Sequence, residues 1–443
     1  MKKEKEISIM EEAKIKEYMD YCLNCKIKPC SQKGCPLSND IPTFIKLAKE
    51  GQVREAYRIL TETTMLGSIC GRICPHEKQC QGSCVRGIKG EAVHIGEIEA
   101  YVFDEALKHG YDKEIEKSDV LKGKKIAIIG SGPAGLNASA FLARSGAQVT
   151  IYEKYHELGG ILRHGIPDFR LDKKVLDNTI GQILNLGIDV KLGQELGKNI
   201  TLEELKQTYD AIFLGIGANI PGKMHIEGEE LEGVYGGNTL LEKNCHPDYI
   251  DKKVAIIGGG NVAMDCARTV KRMGASKVSV IYRRAEEQMP AERKEIEEAK
   301  QEGIEFLFQN NIVKIIGQNK VQKIECIKTK LVPKEGETRL APVDIEGSNY
   351  VMDMDYVVMA VGSKPDKNVL ESLGLELNEW GYIKVNEKYQ TSNSKIYAGG
   401  DLIGQKATVA WAARAGRDAA KSMIEDLRQE NTKNFCVFTV NKF

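Results

Sequence analysis

The sequence predicts an α/β chain of two doubly wound units preceded by a small helical domain rich in thiols. Three observations carry that expectation. A strand, glycine cluster, helix and second strand follow one another over residues 124–153, the same order recurs over residues 254–284, and eight of the twelve cysteines fall within the first 84 residues. Short β-branched runs that end in glycines and alternate with Ala-rich helical stretches are the pattern of a parallel sheet covered by helices. At 443 residues there is chain enough for two or three such bodies, each with its own core.

The first 117 residues carry helical signals and no strand signal. Pro42 can start a helix, and Phe44, Ile45, Leu47 and Ala48 line one face of it before Gly51 stops it. The texture changes at Lys124, which puts a boundary near Ser118–Gly123. Lys124–Ile129 then reads as a strand and runs into Gly130-x-Gly132-x-x-Gly135, with Pro133 and Ala134 opening an Ala-rich helix. A second strand, Gln148–Tyr152, ends on Glu153 and Lys154. The glycines permit a tight turn and let backbone approach a pyrophosphate, the helix N-terminus favours its charge, and Glu153 can accept from ribose hydroxyls.

The second copy is Val254–Ile257, then Gly258-x-Gly260-Asn261-Val262-Ala263, a helix to about Met273 and a strand over Val278–Tyr282. It ends on Arg283-Arg284 and not on an acid. Two guanidinium groups at that place remove repulsion toward a 2′-phosphate and offer it bidentate donors, so this site is expected to prefer NADPH to NADH. Near the end of the chain, Ile396–Ala398 is a strand entering Gly399-Gly400-Asp401, and a helix begins at Thr408 and Val409. In a flavoprotein with two dinucleotide sites this segment completes the first, with Asp401 toward flavin hydroxyls and the helix N-terminus toward the ring.

The eight early cysteines occur as Cys22-x2-Cys25-x4-Cys30-x4-Cys35 and Cys70-x3-Cys74-x5-Cys80-x3-Cys84. The N-terminus is charged and has no apolar core, so no secretory signal is expected, and no run approaches a membrane span. A cytoplasmic chain keeps its thiols reduced, which leaves zinc and iron–sulfur as uses for them. Charge excludes other classes: 63 basic and 63 acidic residues give no reason to expect nucleic acid or an anionic membrane as partner. A disulfide reductase would need a cysteine pair beside the flavin, whereas Cys245, Cys266, Cys326 and Cys436 are far apart and read as inert thiols.

The stretches CLNCKIKPC, GCPLSNDIPTFI, SICGRICPHEKQCQGSCVRG, IAIIGSGPAGL, ELGGILRHGIPDFRL, VAIIGGGNVAMD, YRRAEEQMPAER and IYAGGD together resemble the family of the small (beta) subunit of NADPH-dependent glutamate synthase, from about Tyr21 to Leu427. The same module is similar to the amino-terminal part of dihydropyrimidine dehydrogenase and to the large subunit of NADH-dependent ferredoxin:NADP oxidoreductase. The resemblance implies FAD in the first site, NADPH in the second and two 4Fe-4S clusters in the cysteine domain. One cluster would take Cys22, Cys25, Cys30 and Cys84; the other would take Cys35, Cys74, Cys80 and Glu99, leaving Cys70 spare. Gly160 and Arg163, in Gly159–Gly165, would lie against the flavin with Gly400, Asp401, Thr408 and Val409.

The implied organisation is a helical iron–sulfur domain over residues 1–118, an FAD-binding domain over 119–250 and 355–443, and an NADPH-binding domain over 251–354. A hydride brings two electrons at once and a cluster accepts one, and a flavin serves both, so no catalytic acid–base residue is expected. The implied partner is a large glutamate synthase-type subunit that forms glutamate from glutamine and 2-oxoglutarate. An alternative is the NADPH-binding subunit of a ferredoxin-linked transhydrogenase, partnered by a ferredoxin-type reductase subunit; a zinc-stabilised dinucleotide sensor is a third reading. The chain begins Met1-Lys2, so amidotransfer is expected to need another subunit.

Overall fold

In the computed structural model of the protein, residues 2–242, 246–334, 336 and 339–440 are described, with side chains over 12–429 of that set. Cys245 lies outside the described residues, and Cys436 outside those with described side chains. The chain divides into two compact units, one of Met1–Arg163, Asp168–Gly217 and Pro365–Phe443, the other of His164–Pro167 and Ala218–Lys364.

The first unit begins with helices α1 (Lys2–Tyr21), α2 (Ile41–Lys49), α3 (Val53–Thr61), α4 (Gly67–Ile73) and α5 (Ile95–His109); Cys70 lies in α4, and the connections 22–40 and 74–94 hold the other early cysteines. Helix α2 forms because Ile41, Phe44, Ile45 and Ala48 repeat at helical spacing and are buried together, with Pro42 in its first turn. Those residues pack on Tyr57, Leu60 and Phe103, the two rings meeting edge to face at 5.0 Å. No strand occurs before Lys125 among the described residues.

The same unit then builds a five-stranded parallel sheet from β1 (Lys125–Ile129), β2 (Gln148–Glu153), β3 (Asp189–Leu192), β4 (Ala211–Leu214) and a late strand, β16 (Ile396–Ala398). Their order is β16-β4-β1-β2-β3. Helix α6 (Pro133–Arg144) follows β1, and α14 (Val409–Val440) follows β16. The two helices touch backbone to backbone: a Cβ on Gly416 would lie 2.0 Å from the Ala134 carbonyl oxygen.

The second unit holds another parallel sheet, β6 (Val234–Gly236), β14 (Tyr356–Met359), β7 (Lys253–Ile257), β8 (Lys277–Tyr282) and β9 (Glu305–Phe308), in that spatial order. Antiparallel strands β10 (Asn310–Ile316), β11 (Lys323–Val332), β12 (Ala341–Asp344) and β13 (Tyr350–Asp353) form a separate sheet, and β5 (Ile220–Pro221) pairs with β15 (Ser363–Lys364). The divisions therefore fall at 217/218 and 364/365, and not at the expected 250/251 and 354/355. The cause is β6 and β14, which hydrogen-bond to each other and, through β14, to β7. Residues 1–118 fall in the same compact unit as the first sheet.

Candidate functional site

The turn after β1 is shaped by what its glycines exclude. Gly130 has φ +97°, and a Cβ there would meet the Gly215 oxygen at 2.6 Å; a Cβ on Gly135 would meet the Gly130 oxygen at 1.9 Å. Gly132, by contrast, has open space where its Cβ would be. It sits immediately before Pro133, the first residue of α6, so the free N–H groups of that helix face the same space. The room fits a phosphate ester that must touch backbone.

Glu153, at the end of β2, is buried, and its carboxylate is largely engaged. Oε2 accepts from Ser131 N–H at 2.9 Å and Ser131 Oγ at 2.5 Å, and Oε1 accepts from Tyr155 N–H at 3.0 Å. Three of roughly four lone-pair positions are used, which leaves one for a ribose hydroxyl. Ser131 Oγ also accepts from Gly159 N–H at 2.9 Å. Ser131 thus ties the glycine turn to the 159–160 loop, where a Cβ on Gly160 would meet Gly132 Cα at 2.9 Å.

Arg163 is buried and serves that loop: Nε donates to the Leu158 oxygen at 2.6 Å, and its guanidinium pairs with Asp177 and, at 3.7 Å, with Glu157. Lys154 is exposed, with its ammonium 4.7 Å from the Tyr155 ring. Gly400 has φ +73° and lies against Ala134. Asp401 next to it is half-buried, and burial lifts its carboxyl to about 6. Val409 begins α14, one residue after Thr408.

Thr408 joins this site to the cysteines, since its Oγ1 accepts from Gln79 Nε2 at 3.3 Å, next to Cys80. Further along α14, Arg414 donates to the Pro36 oxygen at 3.1 Å and Arg417 to the Leu37 oxygen at 2.6 Å, just beyond Cys35. Asn137 of α6 donates to the Ala413 oxygen at 2.8 Å and accepts from Met65 N–H at 3.1 Å.

The eight early cysteines form two sets. Cys22, Cys25, Cys30 and Cys84 line one cavity together with Leu23, Pro29, Ile41, Ile45 and Arg86. Burial pushes the Cys30 thiol up to about 11, with a further push from Cys84 and Cys22. The second set is Cys35, Cys70, Cys74, Cys80 and Glu99. Burial and the Glu99 charge push Cys35 up to about 12, and burial, Cys35 and Glu99 push Cys80 well up. Burial lifts Glu99 to about 8 against a 3.0 Å hydrogen bond from Asn39. Among the described residues no three His, Cys, Asp or Glu side chains are arranged to hold a single ion. Buried acids that repel one another fit an iron–sulfur cluster, whose irons would hold such thiols deprotonated.

In the second unit Gly258 has φ +137°, and a Cβ there would meet the Ala360 oxygen at 2.3 Å, while Gly260 has its nearest neighbour, Pro290, at 3.9 Å. Helix α11 (Asn261–Arg272) starts there, and Asn261 accepts from Glu292 N–H at 3.1 Å. A Cβ on Gly237 would lie 3.1 Å from Val262. After β8, Arg283 is exposed, whereas Arg284 Nε donates to the Leu340 oxygen at 3.1 Å. A third arginine joins them: Arg339 donates to Tyr282 Oη at 2.7 Å. Nothing in the local sequence marked Arg339, because it arrives from the connection between β11 and β12.

The profile described as pyridine nucleotide-disulphide oxidoreductase matches residues 124–417, and that of dihydropyrimidine dehydrogenase domain II, 4Fe-4S cluster, matches residues 2–111. The glutamate synthase [NADPH] small chain of Halomonas elongata is 37% identical over 423 residues, 92% of this chain and 89% of the relative. That of Escherichia coli is 36% identical over 434 residues, 93% and 91% of the two chains. The chain belongs to the glutamate synthase [NADPH] small-chain family. Among solved structures, Mycobacterium tuberculosis FprA in complex with NADPH superposes with a TM-score of 0.62 at 20% identity, over 71% of this chain and 86% of that one, a likeness of fold.

The protein is an NADPH-dependent oxidoreductase whose cofactors are FAD, NADPH and 4Fe-4S clusters. Several relatives are named as chains or subunits, among them the glutamate synthase small chain of Escherichia coli and the NADP(+)-dependent formate dehydrogenase subunit beta of Moorella thermoacetica. No helix among the described residues is long and apolar enough to cross a membrane. Cys266 and Cys326 are buried, and burial pushes the first thiol well up and the second to about 12, as expected of unreactive core thiols.

Proposed function

We propose that this chain is the electron-input subunit of a glutamate synthase in the cytoplasm, feeding a large subunit that forms glutamate from glutamine and 2-oxoglutarate. FAD supplies the chemistry that divides a two-electron donor, NADPH, into single electrons for the 4Fe-4S clusters. Gly132 and the N-terminus of α6 would receive the FAD pyrophosphate, Glu153 its ribose, and Asp401 its ribityl hydroxyls. Gly160 keeps the neighbouring loop close, and Arg163 fixes that loop through Leu158 and Asp177. Gly258, Gly260 and the start of α11 would hold the NADPH pyrophosphate, with Arg283 and Arg284 at its 2′-phosphate.

Cys22, Cys25, Cys30 and Cys84 would ligate one cluster, and Cys35, Cys74, Cys80 and Glu99 the other, with Cys70 as a buried thiol beside it. The observation that carries this reading is the bond from Gln79 to Thr408, which sets the second cysteine group against the helix that closes the first dinucleotide turn. The test is reconstitution with a purified glutamate synthase large chain, glutamine, 2-oxoglutarate and NADPH. Glutamate formed in step with NADPH oxidation, and only with both chains present, is the expected result. Reduction of ferredoxin with no glutamate formed would overturn the assignment in favour of a ferredoxin-linked reductase.

A further inference from the structure

Asn39 stands in the stretch GCPLSND between Cys35 and α2, and it is 1% exposed. A buried side-chain amide must find partners for both its carbonyl oxygen and its NH2 group. Asn39 finds them on two other segments. Its Nδ2 donates to Glu99 Oε1 in α5 at 3.0 Å, and its Oδ1 accepts from the hydroxyl of Thr63, in the connection between α3 and α4. An ionised carboxylate only accepts, so the NH2 group has to face Glu99, and the oxygen is left for a hydroxyl donor.

The main chain of the same residue reaches the neighbouring cysteine: the backbone N–H groups of Leu37 and Asn39 bond to the Cys35 sulfur. Behind them Arg414 and Arg417 hold the Pro36 and Leu37 oxygens. The turn 35–39 is thus fixed from both sides, and Asn39 touches both Cys35 and Glu99. Glu99 is 6% exposed, and Asn39 is its one hydrogen-bond donor among the described residues. One bond is few for a buried carboxylate, which ordinarily needs a cation or several donors. Oε2 is the oxygen this bond leaves over, and the thiols of Cys35, Cys70 and Cys80 are among the groups around it. Thiols bring no positive charge; iron does.

We propose that Asn39 is the positioning residue of the second cluster, holding Glu99 by Oε1 so that Oε2 is the single oxygen open to iron, and holding Cys35 by its backbone N–H. The inference rests on the ligand set given above, Cys35, Cys74, Cys80 and Glu99, and adds the residue that orients two of its members. A carboxylate is a harder ligand than a thiolate and suits an iron–sulfur cluster less well, so the iron at Glu99 is the one most easily lost. Free to turn, the carboxylate would release that iron or offer it both oxygens; the bond from Asn39 prevents both.

The test uses the full chain with its cofactors, oxidised with limited ferricyanide, with iron per chain measured and the EPR signal of an oxidised 3Fe-4S cluster followed over time. Asn39→Leu removes the donor but keeps the branched shape of the side chain. It is expected to weaken retention of one iron by about 10–100-fold, so that the 3Fe-4S signal grows at least about tenfold faster than in the native chain. Glu99→Ala should give the same signal, and adding Asn39→Leu to it should change nothing further. FAD content and bleaching of FAD by NADPH should stay native in all three, which a general loss of folding would not allow. Thr63→Val, which frees the Asn39 amide without touching Cys35 or Glu99, should give a smaller signal of the same kind. Native iron and a native spectrum in Asn39→Leu, with Glu99→Ala losing iron, would overturn the role of Asn39 and leave the ligand set standing. An Asn39→Leu effect equally large without Glu99 would also refute it, since the effect would then not pass through that carboxylate. Glu99→Ala with a complete native cluster would remove Glu99 from the ligands, and the proposal with it. If Asn39→Leu assembles neither cluster, Thr63→Val decides, and a native spectrum there overturns the proposal.

Discussion

Gly132→Val and Gly135→Ala make a pair in which adding a side chain should have opposite consequences. Gly132 has φ −69° and ψ −178°, backbone that any residue adopts, and its Cβ would meet nothing within 4 Å. A side chain there costs the FAD-free fold little, and reduced freedom of the unfolded chain offsets that cost by about 0.4–1 kcal/mol. Its methyl groups, however, fill the space the pyrophosphate needs. A misfit of about 3 kcal/mol, over about a hundredfold in Kd, is enough to yield colourless protein. Gly135 is the reverse case, because its Cβ would stand 1.9 Å from the Gly130 oxygen and the turn or α6 must shift. That overpacking should cost the fold itself about 1–3 kcal/mol.

The assay is FAD per chain from visible absorbance, with the urea midpoint of FAD-stripped protein followed by circular dichroism. Stripped forms are compared because bound FAD raises apparent stability by mass action. Gly132→Val should keep the native midpoint without flavin, and Gly135→Ala should lower it. A Gly132→Val protein with its full complement of FAD would refute the reasoning, as would one destabilised as much as Gly135→Ala.

Three further outcomes are expected. Asp401 has its carboxyl raised from 3.8 to about 6 by burial, so its contribution to the stability of FAD-free protein is fully present below 3.8 and lost as pH rises through 6. Asp401→Asn should therefore stabilise the stripped protein at pH 7 by ~1–2 kcal/mol, a value discounted for partial exposure, and have no such effect near pH 3.5; equal midpoint shifts at both would contradict this. Arg283→Ala/Arg284→Ala should cost roughly 1–3 kcal/mol in kcat/KM for NADPH and far less for NADH, with most of the loss already present in Arg283→Ala, because Arg284 Nε is held by Leu340. Equal losses for both nucleotides would remove the 2′-phosphate role. Cys25→Ala should lose iron and partner reduction while NADPH still bleaches FAD in stopped flow; undiminished partner reduction would contradict the electron path.

The dinucleotide turns were legible because their constraints are local. Strand, glycines, helix and second strand lie within about thirty residues, and Gly130, Gly135 and Gly258 each answer to a backbone atom of the same turn or of the strand paired beside it. Helix α2 was legible for the same reason. What the sequence hid depends on distant segments. The sequence offered Glu153 as a ribose acceptor and Arg163 beside the flavin, but did not show the bonds from Ser131 to Glu153 or from Arg163 to Asp177. The unit boundary was misplaced because β6 and β14 join the second sheet from outside the second fingerprint. Arg339 could not be read at all, since only the pairing of β11 with β12 brings it round.

Helix α14 is made late in synthesis and holds what is made first. Arg414 and Arg417 secure the loop after Cys35, and Gln79 beside Cys80 bonds to Thr408. At about 5–20 residues per second, roughly 15 s to a minute separates the emergence of Cys84 from that of Arg417. For that interval the nascent thiols lack their final support, open to any iron donor or oxidant in the cell. A ribosome stalled before residue 408 would leave a chain with its cysteines in place and no means of fixing the second set.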